Sequence, residues 1–196
     1  MKAVLAAGLA IALLFPGAVA AAKKSYALED LMNPLLSPEL ALWLVGPISR
    51  LATDQEIKDF GKLTSDEAAR AFVEEFWKRR DRDPAYEGNA LREKFEERSK
   101  EADRLFTESG VPGHRTDRGA VFVLYGPPAK EEFKLSEHPD DPATLVWNYA
   151  ADSAPGLDGK KPEKRYQFIR RGELTVFFTP NLRPPRPRPG QPPLEP

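Results

Sequence analysis

Ala69, Phe72, Val73, Phe76 and Trp77 recur at the spacing of one helical face, and Glu74, Glu75, Lys78 and Arg79 fill the positions between them. Residues three and four apart lie above one another on a helix, so the pattern predicts an amphipathic helix from Ser65 to about Arg80. Two Thr-x-x-Glu sequences, Thr53 to Glu56 and Thr64 to Glu67, have the form of a capping box, in which the Thr oxygen accepts from the third helical N–H and the Glu reaches back. A second stripe of Leu91, Phe95, Ala102, Leu105 and Phe106 predicts a helix from an Asn89 cap to about Thr107, with Gly110 as the stop. Ser37-Pro38-Glu39 resembles a helix start, and the run Leu40 to Val45 reads as a short buried helix ending at Gly46-Pro47 rather than as a docking strip.

After Gly110 the period changes. Ala120 to Tyr125 is a continuous apolar run with two valines, closed by Gly126-Pro127-Pro128, and is predicted to be a buried strand. Thr144 to Tyr149 alternates, with Leu145, Trp147 and Tyr149 on one face. Arg165 to Arg170 and Leu174 to Thr179 flank Arg171-Gly172, a short hairpin connection. Helices first and strands second predict an α+β fold: N-terminal helices packed on a small, mostly antiparallel sheet of about four strands. The Gly-, Pro- and Asp-rich stretch from 150 to 164 is a long loop inside that sheet.

The ends of the chain look different. Lys2, the apolar stretch Ala3 to Phe15 and the small residues Ala18-Val19-Ala20 have the form of a secretory signal peptide cleaved after Ala20. The apolar run is shorter than the ~20 residues that cross a bilayer. The expected division is a signal peptide over 1–20, a weakly ordered linker over 21–36, the α+β domain over 37–182 and a Pro/Arg-rich extended tail over 183–196. An exported, periplasmic or extracellular protein follows from that reading.

Composition narrows the chemistry. There is no cysteine, which excludes disulfides, thiolate metal sites and a cysteine nucleophile. The chain carries −1 overall; without Lys2 it is −2, and since the tail carries +2 the rest stands at −4. A folded part of that sign is a poor match for a polyanion, so nucleic acid is not expected as a partner. The only histidines, His114 and His138, have no metal-ligand spacing, and Glu137-His138-Pro139-Asp140-Asp141 reads as a solvated acidic loop. Gly126-Pro127-Pro128 lacks the N–H donors that a phosphate cradle needs. No cofactor or metal is expected.

Several motifs together carry a resemblance. Phe76-Trp77-Lys78-Arg79-Arg80-Asp81, with Pro84 beyond, is similar to the Phe-Trp-x-x-Arg-Asp-Pro signature of the GWxTD domain family. Gly113-His114-Arg115-Thr116-Asp117-Arg118-Gly119 resembles its naming motif, with His114 where the family has Trp. Arg82 stands where the first motif usually has Pro, and Ala90 where Glu usually follows Asn. Val121 to Pro128 matches the segment that follows, Trp147-Asn148-Tyr149 resembles its Trp-x-Tyr, and Asn89, Phe95, Arg98, Ala102 and Phe106 fall on like residues of its second helix. The resemblance covers about residues 50 to 150. It implies an exported bacterial domain and transfers no catalytic role.

The residues that stand out are Trp77, Arg80, Asp81, His114, Thr116, Asp117, Arg118, Gly119 and Trp147. Asp117 is expected to close the turn before residue 120 as an Asx-turn, and Gly119 to take a positive φ there. Two readings compete. In the first, Arg80 or Arg118 pairs with Asp117 or Asp81 and braces loop to helix, Trp77 and Trp147 are core, and the protein binds or organises an envelope partner without catalysis. In the second, a hydrolase uses Asp81 and Asp117 with Arg80 and Arg118 on an anionic substrate. That second reading needs both acids in one open pocket.

Overall fold

The structure, a computed structural model, describes residues 26–83, 85–135 and 142–178. The expected signal peptide, the Pro/Arg-rich tail, Pro84 and the acidic loop around His138 lie outside the described residues. The fold is α+β, and its sheet is antiparallel throughout.

Among the described residues, five helices come first: α1 (Leu28–Leu31), α2 (Pro38–Ala41), α3 (Pro47–Leu51), α4 (Asp54–Phe60) and α5 (Asp66–Lys78). The Thr53 box forms as the sequence predicts: Thr53 Oγ1 accepts from the Glu56 N–H at 3.2 Å and Glu56 Oε2 accepts from the Thr53 N–H at 2.8 Å. At the second box the cap moves by one residue, because Ser65 rather than Thr64 accepts from the Ala68 N–H. These helices wrap an aromatic cluster of Trp43, Phe60, Phe72, Phe76 and Trp77. Residues 26–36 are packed into it rather than weakly ordered. Leu31 and Leu36 are buried, and Asn33, 2% exposed, donates from Nδ2 to the Phe60 and Leu63 carbonyls at 2.9 Å each.

Helix α6 (Ala90–Phe106) starts at Asn89, which does two jobs: its Oδ1 accepts from the Arg92 N–H and its Nδ2 donates to the Trp77 carbonyl. Phe95 packs on both cores, which joins the helical layer to the rest. Leu105, expected on the buried stripe, is exposed instead.

The largest departure from the sequence reading comes next. Ala120 to Tyr125 belongs to a helix, α7 (Asp117–Tyr125), preceded by a 3-10 turn at Gly113–Arg115. Gly119 to Leu124 are all buried. A helix buried on every side shows no 3.6-residue period, and its valines give it the composition of a strand, so the pattern cannot separate the two. Thr116 decides it: its Oγ1 accepts from the Gly119 N–H and caps the helix.

The sheet is a meander, β1 (Lys130–Lys134), β2 (Thr144–Asn148), β3 (Arg165–Arg171) and β4 (Leu174–Phe177), in that spatial order. The fourth strand is therefore β1, a charged segment missed by the hydrophobic pattern, and not 120–125. Register pairs Trp147 with Tyr166 and Phe168 with Phe177, which places Leu145, Trp147, Tyr166, Phe168 and Phe177 on the face that meets α6 and α7. The 150–164 loop docks on the end of α7, with the Leu157 N–H donating to the Leu124 carbonyl.

Candidate functional site

The naming motif sits at the junction of three elements. Gly113 lies against the backbone of α6, where an added Cβ would fall 1.9 Å from the Ala102 carbonyl oxygen. Gly119 lies against Gly113 in turn, with 1.8 Å between a hypothetical Cβ and the Gly113 oxygen. Both glycines are there for close backbone approach. Gly119 is helical, so the positive φ expected of it is not what the position requires. Thr116, buried, donates to the Gly113 carbonyl and caps α7, and so closes the turn from within.

Two carboxylates flank this turn and reach the same distant strand. Glu108 accepts from the Thr175 N–H at 2.6 Å and from the Thr175 hydroxyl at 2.9 Å, and it pairs with Arg118. Asp117 accepts from the Phe177 N–H at 2.7 Å. Thr175 and Phe177 are alternate residues of β4, the last strand of the sheet, so both acids take N–H groups from its outer edge. Asp117 thus makes no local Asx-turn; it binds a backbone amide 60 residues on.

The electrostatics of the two acids differ. Burial would raise the Glu108 carboxyl, but the Thr175 N–H and hydroxyl and the Arg118 charge outweigh it and hold it below its ordinary value. For Asp117 burial wins: the Phe177 N–H and the Arg50 charge pull the other way but leave the carboxyl raised.

The remaining motif residues are also committed inside the fold. Arg80 pairs with Glu56 at 2.6 Å, donates to the Leu51 and Phe76 carbonyls, and lies over the Phe76 ring at 3.6 Å. Burial pushes the Glu56 carboxyl up, yet the Arg80 and Arg79 hydrogen bonds and the Thr53 N–H bring it down to about 2. Arg98 donates to the Val123 and Leu124 carbonyls, a cation at the negative end of α7. His114, in the family's Trp position, places Nδ1 2.7 Å from Asp103 and its N–H 2.9 Å from the same oxygen. Trp77 packs on Phe76 and Phe95, and Trp147 packs on Phe106 and Phe168 while its Nε1 donates to Glu131. Asp81 accepts from the Asp83 N–H in a local turn.

A family model for the GWxTD domain matches residues 37–174. The chain belongs to the GWxTD domain family. No curated protein and no solved structure matches the chain.

Among the described residues, neither Arg80 nor Arg118 pairs with Asp81 or Asp117 as expected; each has another partner. Arg80 goes to Glu56 and Arg118 to Glu108, while Asp117 goes to a backbone amide. Asp81 and Asp117 do not meet. Asp117 lines a cleft of about 440 Å³ with Tyr26, Val45, Arg50, Arg115 and Phe177, whereas Asp81 lines separate cavities beside Arg82 and Leu157. Glu56 was visible in the sequence as a capping residue, though not as the partner of Arg80. Glu108 carries no local signal, since a partner 67 residues away leaves no mark on the spacing.

Proposed function

We propose that this GWxTD protein is an exported binding module that holds or organises a partner in the cell envelope, and that its motif residues supply the frame rather than chemistry. The observation that supports this is the use of the motif's polar groups within the fold: Arg80, Arg118, Thr116 and Trp147 donate to carboxylates or backbone carbonyls, and Asp117 accepts from a backbone amide. A general base needs its lone pairs within reach of substrate. Here one Asp117 oxygen is engaged by Phe177, and Asp81 stands in another cavity. Export rests on the signal-like segment over 1–20, with a first exported residue near Ala21.

The test has two parts. N-terminal sequencing of protein recovered outside the cytoplasm is expected to begin near Ala21; a retained Met1 contradicts export. Tagged protein is expected to capture one partner from envelope extract, and Asp81→Asn to capture it equally. Turnover of an ester or phosphoester substrate, abolished by Asp81→Asn and by Asp117→Asn at unchanged stability, contradicts the binding reading.

A further inference from the structure

The cleft at the start of α7 combines features that the frame does not use. Arg115, the last residue of the 3-10 turn, lies beside Gly46, where a hypothetical Cβ would stand 3.1 Å from the Arg115 Cα. Its backbone is thereby fixed against the start of α3. Its guanidinium is half-buried, and among the described residues it makes no hydrogen bond or ion pair. Burial pushes its pKa down, and the charges of Asp103 and Glu39 only partly offset this. Asp103 is already bound to His114. A guanidinium carries five donors, and taking them from water without a partner is costly. The lining also includes the apolar side chains of Leu28, Leu31, Val45 and Phe177.

Arg50 and Asp117 also line the cleft, and they oppose each other in charge: Arg50 lowers the Asp117 carboxyl and lies over the Phe177 ring at 5.3 Å. Among the described residues that line the cleft, Arg50, Arg115 and Asp117 sum to one positive charge. The volume, about 440 Å³, is within the range of small-molecule sites.

We infer that this cleft binds a small organic monoanion, a carboxylate on an apolar body, with the carboxylate on Arg115 and the body against Leu28, Leu31, Val45 and Phe177. A fork-shaped guanidinium suits a carboxylate, and a single net charge suits a monoanion better than a dianion. The inference names the ligand chemistry of the binding reading above and rests on it.

Octanoate is the probe, with octanol as the uncharged match, octyl phosphate as the dianion and acetate as the carboxylate without a body. Calorimetry on the purified full chain is expected to show octanoate binding at least about tenfold tighter than the other three, as two charge-assisted hydrogen bonds to a partly buried guanidinium imply. Arg115→Met is expected to lose that advantage by about tenfold or more, with an unliganded melting temperature no lower than wild type, because the charge it removes is unpaired. Octanol binding as tightly as octanoate, equal octanoate binding by Arg115→Met, or no octanoate binding at about 10 mM overturns the inference. The first two comparisons need no variant beyond one, and the wild-type ligand series stands even where Arg115→Met fails to fold. Loss of octanoate binding with partner capture intact sinks the ligand assignment alone; loss of capture sinks the reading beneath it.

Discussion

On the outer edge of β4, two alternate amides donate to Glu108 and Asp117, side chains from either side of the motif turn. At the other end of the sheet, β1 carries charge: Glu132 pairs along its own strand with Lys130 and Lys134, while Phe133 stays 68% exposed. An open strand edge invites pairing with another chain, and lysines are one way to discourage it. The β4 edge is instead closed by the fold. The difference shows what the motif does mechanically: it brings two carboxylates to strand amides that would otherwise be left without a partner, and so fastens α6 and α7 to the sheet.

If the motif works this way, its glycines come first. Gly113→Ala would put a Cβ into the Ala102 carbonyl, a backbone group that cannot move aside. The expected loss is at or above the ~1–3 kcal/mol typical of overpacking, seen as a lower denaturation midpoint or failure to fold, measured by circular dichroism. A wild-type midpoint would mean that α6 and the turn are not in contact.

Next is Glu108→Ala, which strands the Arg118 charge and the Thr175 amide together. The Glu108 side chain is 8% exposed, so the expected loss is about 3–5 kcal/mol, as for one partner of a buried pair. Glu132→Ala on the β1 edge is expected to cost about 0–1 kcal/mol, as for an exposed pair. Paired urea titrations test the contrast directly, and equal losses would erase the distinction between the edges.

Asp117 should separate acceptor from charge. Its carboxyl is raised by burial, so the folded state disfavours the anion. Asp117→Asn keeps an oxygen for the Phe177 amide and is expected to stay within about 1 kcal/mol of wild type, while Asp117→Ala loses about 1–3 kcal/mol. A larger cost for Asn than for Ala would restore a charge-pairing role.

The helical half supplies a pH contrast. The Glu56 carboxyl is brought from 4.5 to about 2. A lowered folded pKa gives stability that is complete above the unfolded value and fades as pH falls, here between about 4.5 and 2. Asp117, raised, works the opposite way: its contribution is present below its ordinary 3.8 and is lost as pH rises through the folded value. The melting-temperature gap between wild type and Glu56→Gln is therefore expected to be open at pH 6 and to close toward pH 2. A constant gap would show that Arg80 does not depend on that charge.

Much of this was legible in the chain, for reasons that differ along it. The Thr53 box, the Asn89 cap and the stripe of α5 are local, so a few residues of spacing carry them. Helix α7 was not legible as a helix, because burial on every side removes the period and leaves only its strand-like composition. Strand β1, Lys-Glu-Glu-Phe-Lys, was hidden for the reverse reason: an edge position lets it carry charges on most of its residues. At the candidate site, the sequence singled out Arg80, Asp117 and Arg118 but not their partners. Glu56 is 24 residues from Arg80, and Phe177 is 60 from Asp117. Spacing cannot report contacts made across the fold.

The central claim is that Asp117 and Glu108 hold the outer edge of β4, and amide hydrogen exchange reads those bonds one at a time. In wild type the Phe177 and Thr175 amides are expected to exchange as slowly as the Phe168 amide of β3, although they face away from the ladder. In Asp117→Ala the Phe177 amide is expected to exchange as a frayed edge does, with the amides of α5 unchanged. Fast exchange at Phe177 and Thr175 in wild type, or unaltered protection of Phe177 in Asp117→Ala, would contradict the account.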